Sequence, residues 1–147
     1  MRRRRVQPVG ILFSEYYFYL AAFIEGLDRQ THFDNPEDKS PTIYRVDKIE
    51  TYRVTADHFA VPYRDRFEEG EMRKRIQFMY GGKLQRIRFL YTGPSLEAVL
   101  DRLPTARVTG IAADGTGSWV EAEVFGSGID MWLRSQGKYV DQVKKIT

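Results

Sequence analysis

Apolar positions in the first part of the chain come in short blocks. Residues 9–13 (Val-Gly-Ile-Leu-Phe) form an apolar run closed by Ser14-Glu15, and residues 16–23 form an aromatic run rich in strand formers but too short for most helices. The pattern predicts two strands joined by a tight turn at Ser14-Glu15. Residues 26–41, with Asp28, Asp34, Asn35, Pro36, Asp38, Ser40 and Pro41, read as a loop with at most one helical turn. Strand character resumes at residues 42–46. Residues 49–55 alternate apolar and polar with period two and predict a further strand, with Asp47-Lys48 as the bend or bulge between them.

Beyond Val61-Pro62 the pattern changes. Residues 64–79 are highly charged, with Phe67, Met72, Ile76 and Met79 at helix-like spacings, so an amphipathic helix or linker is expected, stopped at Gly81-Gly82. Residues 87–91 read as a strand. Residues 95–103 read as a helix between Pro94 and Pro104 with Leu96, Val99, Leu100 and Leu103 on one face. Strands over 107–112 and 118–125 flank Asp114-Gly115-Thr116-Gly117, a strong hairpin signal. A helix over 127–136 with Gly137 as its C-terminal cap and a strand over 139–143 complete the order β-α-β-β-α-β, the ferredoxin-like pattern. The expected fold is therefore α+β: a small β-barrel-like domain over 6–61, a charged helical linker over 62–84, and a ferredoxin-like unit over 85–147.

Composition narrows the function classes. The chain has 147 residues, 42% of them hydrophobic, enough for one domain or two small ones. Its longest apolar stretch, residues 16–24, is about half of what a bilayer span needs, and no signal-peptide pattern follows the arginine run, so a cytoplasmic protein is expected. Zero cysteines exclude disulfides, thiolate zinc sites, iron–sulfur clusters and cysteine nucleophiles.

The net charge of +3 hides its distribution. Residues 1–60 carry nine basic and nine acidic side chains, four of the bases being Arg2 to Arg5, whereas residues 64–88 carry eight bases against four acids. Global charge recruits no polyanion, so any such contact must be a local site.

Several of these segments resemble a known family. Val6-Gln7-Pro8-Val9-Gly10-Ile11, the triplet Phe18-Tyr19-Leu20, and Tyr44-Arg45-Val46-Asp47-Lys48-Ile49 followed by Phe59 are similar to the WYL domain of bacterial transcriptional regulators. The second unit, with its Asp114-Gly115 hairpin and a helix ending in Trp132-Leu133 before Gly137, resembles the C-terminal extension that accompanies WYL domains. The resemblance implies an N-terminally incomplete barrel of the Sm or SH3 type, holding a basic and aromatic pocket for single-stranded nucleic acid or a nucleotide. It also implies a homodimer, and DNA reading by a helix-turn-helix domain that this chain lacks, as a fragment or a degraded copy would. Two departures bear on the site. Phe18 stands in place of the Trp, and Lys48 stands where an Arg is usual, which turns a bidentate fork into a point charge.

Carried over position by position, the ligand-binding candidates are Tyr19, Arg45, Lys48 and Arg5. Cationic groups neutralise phosphate and a tyrosine ring offers a stacking face. Each has a competing structural reading. Tyr19 could be a core aromatic, Arg45 a surface arginine paired with Asp47 or Glu50, Lys48 a solvated bend residue, and Arg5 one more charge of the terminal run. Tyr16, Tyr17, Tyr44 and Tyr52 are expected to be half-buried strand residues, any of which could line the pocket. A second patch, Arg73, Lys74, Arg75, Lys83, Arg86 and Arg88, reads either as a backbone-contacting surface or as a helix face balanced by Glu68, Glu69 and Glu71. His32 and His58 lie too far apart in sequence for metal-ligand spacing, and the carboxylates are scattered, so neither a metal, a cofactor nor an enzymatic activity is expected. A ligand-free structural dimerisation domain is the alternative.

Overall fold

The structure is a computed structural model that describes residues 2–26, 40–61 and 66–146. It is a mixed α+β protein with two antiparallel sheets, of three and four strands, in two compact units, residues 1–69 and 70–147.

The first unit carries the sheet β1-β2-β3, formed by β1 (Val6–Ser14), β2 (Tyr17–Ile24) and β3 (Thr42–Arg45). Ser14 pairs with Tyr17, so the turn residues are Glu15 and Tyr16, one position beyond the expected Ser14-Glu15. Glu15 takes φ 58°, a conformation that a two-residue hairpin demands and that costs a residue with a Cβ. The β1–β2 register shifts between Pro8 and Gly10, and the Phe67 ring lies where a Cβ on Gly10 would stand, within 2.8 Å.

Register assigns the two faces of this sheet. Leu12, Tyr19 and Arg45 are opposite one another and share a face with Tyr17, Ala21 and Ile43. Ile11, Phe13, Phe18, Leu20 and Tyr44 share the other. Among the described residues of this unit the buried apolar side chains are Leu12, Ala21 and Ala22. After a 3-10 turn at Val46–Lys48, the strand expected over 49–55 does not form. Glu50 to Val61 make no backbone hydrogen bond with another described residue and stand exposed. Period-two alternation shows that a segment can be a strand, but a strand also needs a paired neighbour, and residues 49–55 pair with no described strand. The loop expected over 26–41 falls mostly outside the described residues.

In the second unit a short helix α1 (Glu69–Arg73) leads to β4 (Leu84–Tyr91), α2 (Leu96–Arg102), β5 (Arg107–Ile111), β6 (Ser118–Phe125), α3 (Gly128–Ser135) and β7 (Val140–Lys145). The sheet order is β5-β6-β4-β7. Ser95 caps α2 by accepting the backbone N–H of Ala98, and Gly137 follows α3 at φ 58°. Ile87, Phe89 and Tyr91 of β4 and Val120, Ala122 and Val124 of β6 face Val99 of α2, Leu103 at its C-terminal cap, and Ile129, Trp132 and Leu133 of α3, which makes one continuous core on one side of the sheet.

The helical linker expected over 62–84 is corrected by this unit. Residues 62–65 lie outside the described residues, and the helix that forms downstream spans only Glu69–Arg73. Met72, Ile76 and Gln77 are buried, Ile76 forms a parallel bridge with Phe125, and the Phe125 N–H donates to the Arg75 carbonyl. Burial of these side chains outweighs the weak helical preference of a charged segment. The turn that follows puts Phe78 and Met79 at φ 54° and 56°, and its Tyr80 N–H donates to the Gln77 carbonyl.

Candidate functional site

Strand pairing brings two of the four sequence-derived candidates together. Tyr19 on β2 and Arg45 on β3 are direct cross-strand partners, and the Arg45 guanidinium lies 3.6 Å from the centroid of the Tyr17 ring. Tyr17 and Tyr19 are two apart on one strand and therefore present two aromatic rings on the face that carries the guanidinium. The cation–π contact orients the Arg45 side chain over the ring.

Arg45 is also held by its neighbour in sequence. Its Nε and Nη2 donate to the two carboxylate oxygens of Asp47 at 3.0 and 2.6 Å. The Asp47 carboxylate raises the pKa of Arg45, and Arg45 in turn draws the Asp47 carboxyl below the usual carboxylate range. This is the pairing that the competing reading of Arg45 anticipated. An incoming phosphate would have to displace Asp47 from the fork. Lys48 ends the exposed turn that begins just after Arg45, on the Tyr17 side of the sheet.

Arg5 belongs elsewhere. Its Nε pairs with Glu25 at 2.7 Å, and its Nη2 is bonded to Asp57. Asp57 and then Glu25 raise its pKa. Since Glu25 follows β2 at the end away from Tyr19, about six strand rises of 3.4 Å, or roughly 20 Å, separate Arg5 from the Tyr19–Arg45 pair. Arg5 clasps the open end of the hairpin to residue 57 instead of joining the aromatic face.

In the second basic patch Lys74, Arg75 and Arg86 are held in ion pairs, Arg86 and its partner Glu123 lying on the sheet face away from the helices. Arg75, half-buried, pairs with Glu71 at 2.6 Å and Glu123 at 3.3 Å, while Arg86 reaches Glu123 at 3.4 Å and Lys74 reaches Glu71 at 3.1 Å. Arg75 is the first cause of the lowered pKa of both glutamates. With Thr105, Arg107 and Glu121 these groups line a cleft of about 320 Å³. Arg107 is itself paired with Glu121 at 3.1 Å. Arg88 stands over the Trp119 ring at 4.4 Å, with its buried Nε unbonded.

The carboxylate of Asp114 accepts from both the N–H and the hydroxyl of Thr116, the work of a hairpin turn. Among the described residues no group of His, Asp or Glu is gathered to hold a metal ion, and no helix is long and apolar enough to cross a membrane. His32 lies outside the described residues. Compared with models of known protein families and with curated proteins, the chain matches none.

The sequence reading named Tyr17 only as one of four tyrosines, with Tyr16, Tyr44 and Tyr52, that could line the pocket. Its signal was the i, i+2 spacing to Tyr19, which in any strand puts both rings on one face.

Proposed function

We propose that the chain is the ligand-sensing part of a WYL-type bacterial transcriptional regulator, which takes a nucleotide or a short single-stranded nucleic acid on the face built by Tyr17, Tyr19 and Arg45. The observation that carries this reading is the Arg45 guanidinium 3.6 Å over the Tyr17 ring, on a residue that is the cross-strand partner of Tyr19. Aromatic faces beside a cation suit a base and its phosphate, each stacked base contributing about 1–3 kcal/mol. Lys48 on the adjoining turn would add a point charge toward the backbone. A phosphate arriving at Arg45 exchanges places with the Asp47 carboxylate, and a ligand that binds one arrangement better than the other shifts their populations.

On this reading the first unit is of the Sm- or SH3-like barrel type and the second is a ferredoxin-like unit. Support for the latter is the sheet order β5-β6-β4-β7 generated by a β-α-β-β-α-β succession. A ligand-free structural dimerisation domain is the second reading, favoured by the carboxylates that already neutralise Arg5 and Arg45.

Fluorescence anisotropy with labelled single-stranded DNA and RNA tests the site. Arg45→Ala and Tyr19→Ala are each expected to weaken binding at least about tenfold without lowering the melting temperature by more than a surface change does. Unchanged affinity in both variants, or no binding by the wild-type chain, would reject the ligand reading and leave the dimerisation one.

A further inference from the structure

The two longer helices of the second unit leave a cleft that the proposed function does not use. On α2 the residues Ala98, Val99 and Arg102 fall on one face, and on α3 Trp132 stands four residues before Gln136, which caps the C-terminal end. With Tyr91 of β4 these side chains line a space of about 330 Å³. Its base is apolar and rigid. Val99, Tyr91 and Trp132 belong to the packed core, and Phe89 meets the Trp132 ring edge-on at 6.1 Å between centroids. Ala98 is exposed, and a side chain of one methyl group there leaves the cleft open.

The polar groups of the cleft are few, and none is acidic. Arg102 ends α2 and pairs with no carboxylate among the described residues; its guanidinium stands 5.6 Å from the Phe78 ring centroid. Arg75, Arg86 and Arg107 of the same unit are by contrast each held by a glutamate. Tyr91 is buried, yet its hydroxyl makes no hydrogen bond with a described residue, where a buried hydroxyl ordinarily has a partner. Gln136 donates through Nε2 to the Ser135 hydroxyl at 3.2 Å and keeps its amide oxygen as an acceptor.

We infer that this cleft binds a small aromatic carboxylate of one or two rings, with the ring system against Trp132 and Tyr91 and the carboxylate at the Arg102 guanidinium. A space of about 330 Å³ lies at the small end of ligand sites and suits a compact molecule, not a polymer. Aromatic walls give a flat ring stacked and edge-on contacts that an alkyl chain does not make. One guanidinium without a carboxylate partner, in a lining without acids, matches one negative charge and presents it with a bidentate fork. The inference goes beyond the proposed function, since the site lies within the second unit and uses none of Tyr17, Tyr19 and Arg45.

Nuclear magnetic resonance titration of the full, isotope-labelled chain with naphthoate tests it, with hexanoate and the uncharged naphthamide as comparisons. The chain has two tryptophans, and Trp119 lies on the sheet face away from the helices, so it is an internal reference. Naphthoate is expected to shift the Trp132 indole N–H saturably, with a Kd of about 1 mM or tighter, and to leave that of Trp119 in place. Hexanoate and naphthamide are each expected to bind at least about fivefold more weakly. Arg102→Gln removes the charge at an exposed helix position and is expected to weaken naphthoate binding at least about fivefold. Ala98→Leu fills the opening and is expected to weaken it more than about tenfold. A cation also suits the carbonyl end of α2, so melting temperature is followed in parallel, and both variants are expected to stay within a few degrees of the wild type. No saturable shift of Trp132 up to about 10 mM naphthoate would overturn the inference. Equal affinity for naphthoate and naphthamide, tighter binding of hexanoate, or a Kd that Arg102→Gln or Ala98→Leu leaves unchanged would do the same. None of these outcomes alters the anisotropy result for Arg45→Ala, so the two proposals fail separately.

Discussion

Arg45 shows how much a single side chain can be constrained without being buried. Its fork is occupied by Asp47 and its plane rests on Tyr17. An exposed ion pair is weak and screened by solvent, so releasing the fork should cost a competing phosphate no more than about fivefold in affinity. Asp47→Asn is accordingly expected to tighten binding of a short oligonucleotide by up to about fivefold, measured by anisotropy at fixed salt. The glutamates around Arg75 support a second residue-level expectation. Their folded-state pKa values are lowered, chiefly by hydrogen bonds from Arg75. Their contribution to stability is therefore complete above the unfolded glutamate value of about 4.3 and is lost as pH falls through the lower folded values. Melting temperature followed from about pH 7 to about pH 3 should drop at the acid end, and Glu123→Gln should flatten that drop while lowering the neutral value. At this scale Tyr19 and Arg45 were legible as chemistry, but the fate of Arg5 was not. Which carboxylates meet a guanidinium depends on where strands begin and end in space.

Elements with strong local signals formed where the pattern placed them. Ser95 before the apolar face of α2, Gly137 after α3, and Asp114-Gly115 between β5 and β6 each supply a cap or turn through their own chemistry. Ser95→Ala should cost about 1 kcal/mol, readable in chemical denaturation. Segment 70–83 obeys tertiary demands instead. A Cβ on Gly128 would stand 1.8 Å from the Gln77 carbonyl oxygen, so Gly128→Ala must push that segment off the start of α3. A loss of about 2–4 kcal/mol is expected in the same experiment. Replacing Phe78-Met79 with Asn-Gly should instead stabilise the chain by about 1 kcal/mol or more, because both positions lie at positive φ where the present side chains are strained. Nothing in the charge-rich pattern of residues 64–79 announced that turn. Its helical spacing was weak, and burial of Met72 and Ile76 against the sheet unit decided the conformation.

At the scale of the whole molecule the two units differ in self-sufficiency. The second contains a continuous core from β4, β6, α2 and α3, and residues 70–147 alone are expected to give a cooperative thermal transition by circular dichroism. Residues 1–69, with Leu12, Ala21 and Ala22 as the described buried apolar side chains, are expected to show no comparable transition at low concentration. The sequence by itself determined the α+β class and most strand and helix positions. These follow from periodicity, caps and turn residues, which act over a few neighbours along the chain. Only the tertiary structure decided that Tyr17 underlies Arg45, that Arg5 stands apart, that residues 70–83 pack into the second unit, and that residues 49–55 remain unpaired. Each of those depends on register or on the presence of a partner edge, and both are set by groups distant in sequence.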